Sequence, residues 1–320
     1  MATRFELRQM VTMITGYLLV GVLPKRMAHG IYERMVRRRK DHRSSGLERD
    51  AIVERMEVLL DGHRSGQDVR EFAERFHEGR FEDTWGRWQA SHKANWDVRT
   101  EVVGLEHVSE ILDRGNGVVF WGMSFCGTLY SKIALARAGI ELVQLSTSDH
   151  GASYPTTVLG NRIVGPMHCH PENRYLRDRI RIPDDGNNSY LKQIGEVLKN
   201  QGCIWIAGER SRVKKLVPAE LLGHIGQFPV GAPMLALRHN AGLLSVHTQR
   251  LGRFHYRVTI EPEILLDRKN GRTEAVNQAV QAYATRLANR ILENPGDWDW
   301  DYGWVENLLM NRFTGDEQSI

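Results

Sequence analysis

Four residues that can bind or attack a substrate stand together at Ser124, Cys126, Gly127 and Thr128, where the apolar run Val118–Trp121 gives way to small side chains. The stretch from 117 to 130, Gly-Val-Val-Phe-Trp-Gly-Met-Ser-Phe-Cys-Gly-Thr-Leu-Tyr, reads as a buried strand, a tight turn and the start of a helix. Open α/β sheets bind their ligands at the carboxyl ends of strands. A helix N-terminus is expected to lower a thiol pKa, which makes Cys126 a candidate acyl acceptor. The alternative is a small buried cysteine that fills the turn. Ser124 is a candidate for hydrogen-bonding a substrate carbonyl, and Gly127 and Thr128 for lining the site with backbone groups.

Further candidates close other apolar runs. His150 follows Asp149 after Glu141–Leu145, and a neighbouring strand would deliver it to the same crevice as a general base. Glu209 and Arg210 end the run Cys203–Ala207, as a structural ion pair or as a site pair in which Arg210 holds an anionic group. Arg162, with Arg174 and Arg177, is a candidate contact for an anionic donor carrier, against the alternative of a solvated loop. Gly231, within Phe228–Ala236, would let the backbone approach a ligand. The run His168-Cys169-His170 has no second ligand pair at zinc-like spacing, so no metal is assigned.

The elements that position these residues alternate. Strands are expected at Val118–Trp121, Glu141–Leu145, Cys203–Ala207, Leu243–Val246 and Tyr256–Ile260, and helices at Leu129–Ala138, Ser189–Asn200, Ala232–His239 and Ala275–Leu292. Val102–Val108 introduces a strand and then a helix, and 151–188 reads as loop-rich. This predicts an α/β fold with a central, mostly parallel sheet flanked by helices. Ahead of it, residues 1–100 form a helical extension, with helices at Leu47–Leu60 and Val69–Phe76 and with Trp85, Trp88 and Trp96 as packing anchors. Residues 101–320 form the core, continuous with the extension.

Charge is unevenly spread. The net charge is +4, yet Lys25–Arg43 carries eight basic residues against Glu33 and Asp41. That block is an electrostatic footprint for phosphates, on an anionic membrane surface or on tRNA, unless it is only a solvated helix face. Just before it, the apolar run Met10–Leu23 is too short and too interrupted by Thr and Gly for a membrane span of roughly 20 residues. It is either buried against the main domain or interfacial. With 3 cysteines, odd in number and widely separated, a disulfide framework is excluded and a reducing compartment expected. The expected location is cytoplasmic, with peripheral contact on the inner face of the membrane as the extension of that reading.

The order of landmarks resembles the bacterial lipid A late acyltransferases, a branch of the lysophospholipid acyltransferase superfamily. The segments that carry the resemblance are Gly-Leu-Glu-His-Val at 104–108, Gly-Asn-Gly-Val-Val-Phe at 115–120, Cys-Ile-Trp-Ile-Ala-Gly-Glu-Arg at 203–210, Phe-Pro-Val-Gly-Ala-Pro at 228–233 and Glu-Asn-Pro-Gly-Asp-Trp-Asp-Trp at 293–300. The likeness runs from about Leu23 to Trp304. It implies an acyltransferase-like α/β core, Glu209 at the family's acidic position, and an acyl carrier protein or coenzyme A thioester as donor, with no bound cofactor.

Such enzymes use a histidine base followed five positions later by an acidic residue; here those positions hold Ser124 and Leu129. The carboxyl-rich ending Asp301–Glu306 also suits a phosphorylated sugar poorly. The resemblance therefore implies acyl transfer to a specialised hydroxyl or amine acceptor through a site without the histidine, with Cys126, His150 and Glu209 as candidate catalytic groups. Two alternatives stay open: a transferase of specialised metabolism that uses an aminoacyl-tRNA donor, and an inactive acyl-binding pseudoenzyme.

Overall fold

A computed structural model describes residues 4–41, 46–92, 98–147, 165–183, 187–209, 215–269 and 271–300. The centre is a seven-stranded sheet. Its strands are β1 (Arg99–Val103), β2 (Val118–Gly122), β3 (Leu142–Ser146), β4 (Asp178–Arg181), β5 (Cys203–Ala207), β8 (Gly242–Gly252) and β9 (His255–Ile260), in the spatial order β1-β9-β8-β2-β5-β3-β4. Strands β8, β2, β5, β3 and β4 run parallel to one another, while β9 pairs antiparallel with β8 and β1 runs parallel to β9. The sheet is thus mixed and mostly parallel, in an α/β fold. The sequence explains the centre: β2 reads Val-Val-Phe-Trp-Gly and is buried throughout, as a parallel strand covered on both faces must be.

Helices cover both faces. On one side α3 (Gly46–Leu59), α4 (Gly66–His92), α8 (Ser189–Lys199), α9 (Gly231–His239) and α10 (Arg272–Glu293) pack with Val119, Trp121, Val143, Ile204 and Leu243. On the other, α5 (Leu105–Asp113) and α6 (Thr128–Arg137) meet Val118, Phe120, Trp205 and Leu244. Because Met56, Leu59 and Phe76 of α3 and α4 share one apolar cluster with Trp121, the N-terminal helices contribute to the main core.

The first two helices form an outer layer. In α1 (Arg4–Val22) and α2 (Lys25–Asp41), Val20, Ala28 and Tyr32 pack against Phe81, Trp85 and Trp88 of α4. Burial and exposure therefore divide α1 between them: Val20 is buried, whereas Leu18, Leu19 and Val22 are exposed. Of the basic block, Arg26 and Arg34 are exposed; the side chains of Lys25, Arg37, Arg38, Arg39, Lys40 and Arg43 lie outside the described residues. Among the described residues, no helix is long and apolar enough to cross a membrane.

The structure differs from the sequence reading in three places. The helix expected over Val69–Phe76 continues to His92, so Trp85 and Trp88 lie within it; charged residues between its apolar positions disguise the run. Trp96 lies outside the described residues. Within the stretch read as loop, α7 (Gly165–Asn173) and β4 form. A hairpin of β6 (Leu216–Leu221) and β7 (His224–Pro229) packs on α10, its alternation masked by Pro218 and Gly226.

Candidate active site

Adjacent parallel strands β2 and β5 end side by side, with Gly122 opposite Ala207. The chain beyond each strand contributes one residue to a shared site: Ser124 after β2 and Glu209 after β5. The Ser124 hydroxyl donates to Glu209 Oε2 at 2.6 Å. The Ser124 backbone N–H lies 3.1 Å from Oε1 and 3.0 Å from Oε2 of the same carboxylate. Glu209 is only 3% exposed, and among the described residues no cation pairs with it. Burial pushes its pKa up to about 7, opposed by the hydrogen bonds from Ser124 and Tyr283.

Tyr283, on α10, completes the group. Its ring stacks on Trp121 with centroids 4.0 Å apart. Its hydroxyl lies 3.3 Å from the Gly122 carbonyl and is also a hydrogen-bond partner of Glu209. One O–H proton cannot serve both acceptors fully, so Tyr283 sits between them and can favour whichever carries more charge. Gly208 makes this approach feasible: a Cβ there would collide with the Tyr283 hydroxyl, and its N–H donates to Gly122 O at 2.8 Å.

The Ser124 turn is held from behind by the C-terminal motif. The Cys126 N–H donates to Asp297 O at 2.6 Å, the Asp299 N–H donates to Ser124 O at 2.8 Å, and Phe125 forms an isolated antiparallel bridge with Trp298. The fully buried Asp297 carboxylate is itself fixed by Arg75 of α4, whose Nε and Nη2 approach at 3.0 and 2.9 Å, and by Arg250 of β8. Two sequence landmarks some 170 residues apart therefore form one unit.

Cys126 corrects one expectation. Its thiol is buried against Gly79 of α4, where an added Cβ would lie 3.1 Å from Sγ. Burial, with the carboxylates of Asp297, Asp299 and Asp83, pushes the thiol well above its ordinary range, opposite to the lowering expected at a helix start. The turn still forms as read: Gly127 is left-handed, with φ of 90°, and caps α6. Thr128 follows as the first residue of α6, its hydroxyl donating to Phe125 O at 3.0 Å.

The remaining candidates separate. His150 (with Asp149), Arg162 and Arg210 lie outside the described residues, as does the ending Asp301–Glu306. Arg174 donates to Ala90 O at 2.7 Å, and Arg177 pairs with Glu141 at 3.4 Å. Gly231 is exposed at the start of α9, and a Cβ there would meet nothing within 4 Å. His168, Cys169 and His170 fall on α7, a helix rather than a strand.

The sequence reading did not single out Tyr283 or the Asp297 carboxylate. Tyr283 belongs to an ordinary amphipathic helix, and nothing local marks it. Asp297 stood inside a quoted motif, and its short spacing to the two tryptophans is the signal that could have found it.

Residues 166–301 match the family described as bacterial lipid A biosynthesis acyltransferase. The matched stretch contains Glu209, Tyr283 and the Pro295–Trp300 clamp. No curated protein matches the chain. Over that stretch, within an α/β fold, the chain is similar to the lipid A acyltransferases, and the general chemistry this supports is acyl transfer.

Proposed function

We propose that the protein moves an acyl chain from a thioester donor, on an acyl carrier protein or coenzyme A, to a hydroxyl or amine acceptor, with Ser124 as nucleophile and Glu209 as its base. The observation that carries this reading is the 2.6 Å hydrogen bond from Ser124 Oγ to a carboxylate whose pKa is raised to about 7. A hydroxyl gains nucleophilicity from an adjacent base within hydrogen-bond reach, especially when a third group orients that base. Tyr283 is the orienting group here.

The chemistry runs in two halves. Ser124 Oγ attacks the thioester carbonyl carbon as its proton passes to Glu209 Oε2. The tetrahedral centre collapses, the C–S bond breaks, and the departing thiolate takes the proton from Glu209. The acceptor then attacks the serine ester and gives its proton to Glu209, which returns it to Ser124 Oγ as the C–O bond to serine breaks. Backbone N–H groups at the start of α6, around Gly127 and Thr128, are suited to the oxyanion. Assigning the acyl group to Ser124 rather than Cys126 follows from the direction in which burial moves each group: it makes Glu209 a better base and Cys126 a poorer thiolate.

Exposed Leu18, Leu19, Val22 and Met27 lie beside exposed Arg26 and Arg34. This supports placing α1 and α2 peripherally on an anionic membrane surface.

The test is thiol release from an acyl thioester, followed with and without acceptor amines and alcohols. Wild type should release thiol, and Ser124→Ala and Glu209→Gln should not. Turnover with an aminoacyl-tRNA donor alone would favour the tRNA-dependent alternative, and none with any donor the pseudoenzyme.

A further inference from the structure

Between α8 and α9, away from the Ser124 turn, lies an open groove of about 470 Å³ whose charge is one-sided. Lys192 and Lys199 of α8 and Arg238 of α9 line it, all exposed, and among the described residues none of the three is in an ion pair. Glu196 lies between the lysines and pairs with neither. His239 forms part of the floor, packed so close to Gly195 that a Cβ there would lie 2.9 Å from its ring. Its Nε2 is buried and makes no hydrogen bond. Burial, then the nearby Arg238 and Lys199, lower the histidine pKa, so the floor is neutral and the rim positive.

We infer that this groove docks the acidic face of the carrier protein that brings the thioester donor. The inference rests on the thioester reading above and adds where the donor binds. Lys192 and Lys199 are seven residues apart, two helical turns or about 10 Å, so the cations do not converge on one small anion. They instead match carboxylates repeated along a partner helix. Leu191 adds an apolar contact, and Glu196 fixes the register by meeting a partner cation. Nucleic acid is disfavoured because none of the groove's lining residues is Phe, Tyr or Trp, and bases need such platforms.

Position also fits. Ile194 and Leu198 of α8 share one core cluster with Tyr283, so groove and site lie on the same side of the sheet. Lys199 precedes β5, and Glu209 follows it. The strand rise puts roughly 20 Å between the Lys199 end and Glu209, and Lys192 lies about 10 Å nearer along α8. A flexible thioester-bearing arm, not the carrier surface, would cross that gap.

The test compares one acyl group presented on an acidic acyl carrier protein and on a short pantetheine-like thiol. The full chain is used as wild type and as the triple variant Lys192→Glu, Lys199→Glu, Arg238→Glu. All three positions are exposed, and the variant's thermal unfolding checks its fold. The variant should lose about 10- to 100-fold in kcat/KM with the carrier-borne donor, mainly through KM. It should keep wild-type rates with the short thioester, and added salt should erase the difference.

Equal losses with both donors, or no loss with either, would overturn the docking site. If wild type turns over neither donor, the chemistry proposed above fails, and titration of fluorescent carrier onto the chain decides the groove separately. Binding weakened tenfold or more in the variant upholds the site. No binding to wild type, or loss of tRNA binding in place of carrier binding, overturns it.

Discussion

Two buried glutamates show opposite uses of a carboxylate. Glu172, on α7 and 2% exposed, is met by three cations: Lys132 at 3.0 Å, Arg87 at 3.1 Å and Arg179 at 2.8 Å. It ties α4, α6 and β4 to α7, and its charge is matched several times over. Burial lowers Lys132 to about 8 despite this partner. Glu209 is as deeply buried but receives hydrogen bonds from Ser124 and Tyr283, both neutral, and its pKa rises to about 7. A compensated carboxylate holds layers together. An uncompensated one is poised to exchange a proton near neutral pH.

The largest effect should come from cutting the second kind. Glu209→Gln and Ser124→Ala should each lower kcat by about 10²–10⁴-fold in a thiol-release assay, with near-UV circular dichroism unchanged. A Glu209→Gln variant that keeps its rate would break the contrast at once.

Next comes stability. Glu172→Gln leaves Lys132 and Arg179 without their charged partner, while Arg87 keeps Asp83, and should destabilise the protein by about 3–5 kcal/mol in urea unfolding. Glu209→Gln removes an unpaired buried charge and should cost little at pH 8, or stabilise. Similar losses for both would show that Glu209 is as structural as Glu172.

The same difference was only partly legible in the residues. Val118–Trp121 and Cys203–Ala207 are strong strand patterns, each ending in small or polar residues, so the meeting of Ser124 with Glu209 follows from two neighbouring parallel strands. The environment of each carboxylate was not legible. Tyr283 reaches Gly122 across 161 positions, and Glu172 is neutralised by residues from three other elements. The choice between a reactive and a space-filling Cys126 stayed open in the sequence because its burial depends on α4, whose Gly79 no local pattern links to residue 126.

A smaller effect concerns pH. The folded pKa of Glu209, about 7, lies above its ordinary value of 4.5, so the folded state binds the proton more tightly. This group's contribution is fully present below pH 4.5 and is lost as pH rises through about 7. The loss is on the order of 3 kcal/mol at most. Activity should move the other way, rising through pH 7 as the base ionises. Denaturant unfolding and kcat/KM measured across pH 5–9 should show both trends, and Glu209→Gln should remove both.

The smallest effect belongs to Cys126. Cys126→Ala leaves a small gap against Gly79 and should cost about 1 kcal/mol in thermal unfolding with kcat within about twofold. A loss of 100-fold or more would return the nucleophile to the thiol.

The most direct measurement is intact-protein and peptide mass spectrometry after the protein meets an acyl thioester without acceptor. One acyl group should appear on the peptide containing Ser124, stable to neutral hydroxylamine as an oxygen ester is, and absent from Ser124→Ala and Glu209→Gln. An adduct on Cys126, or multiple turnover with acceptor and no adduct under any quench, would contradict the Ser124–Glu209 assignment.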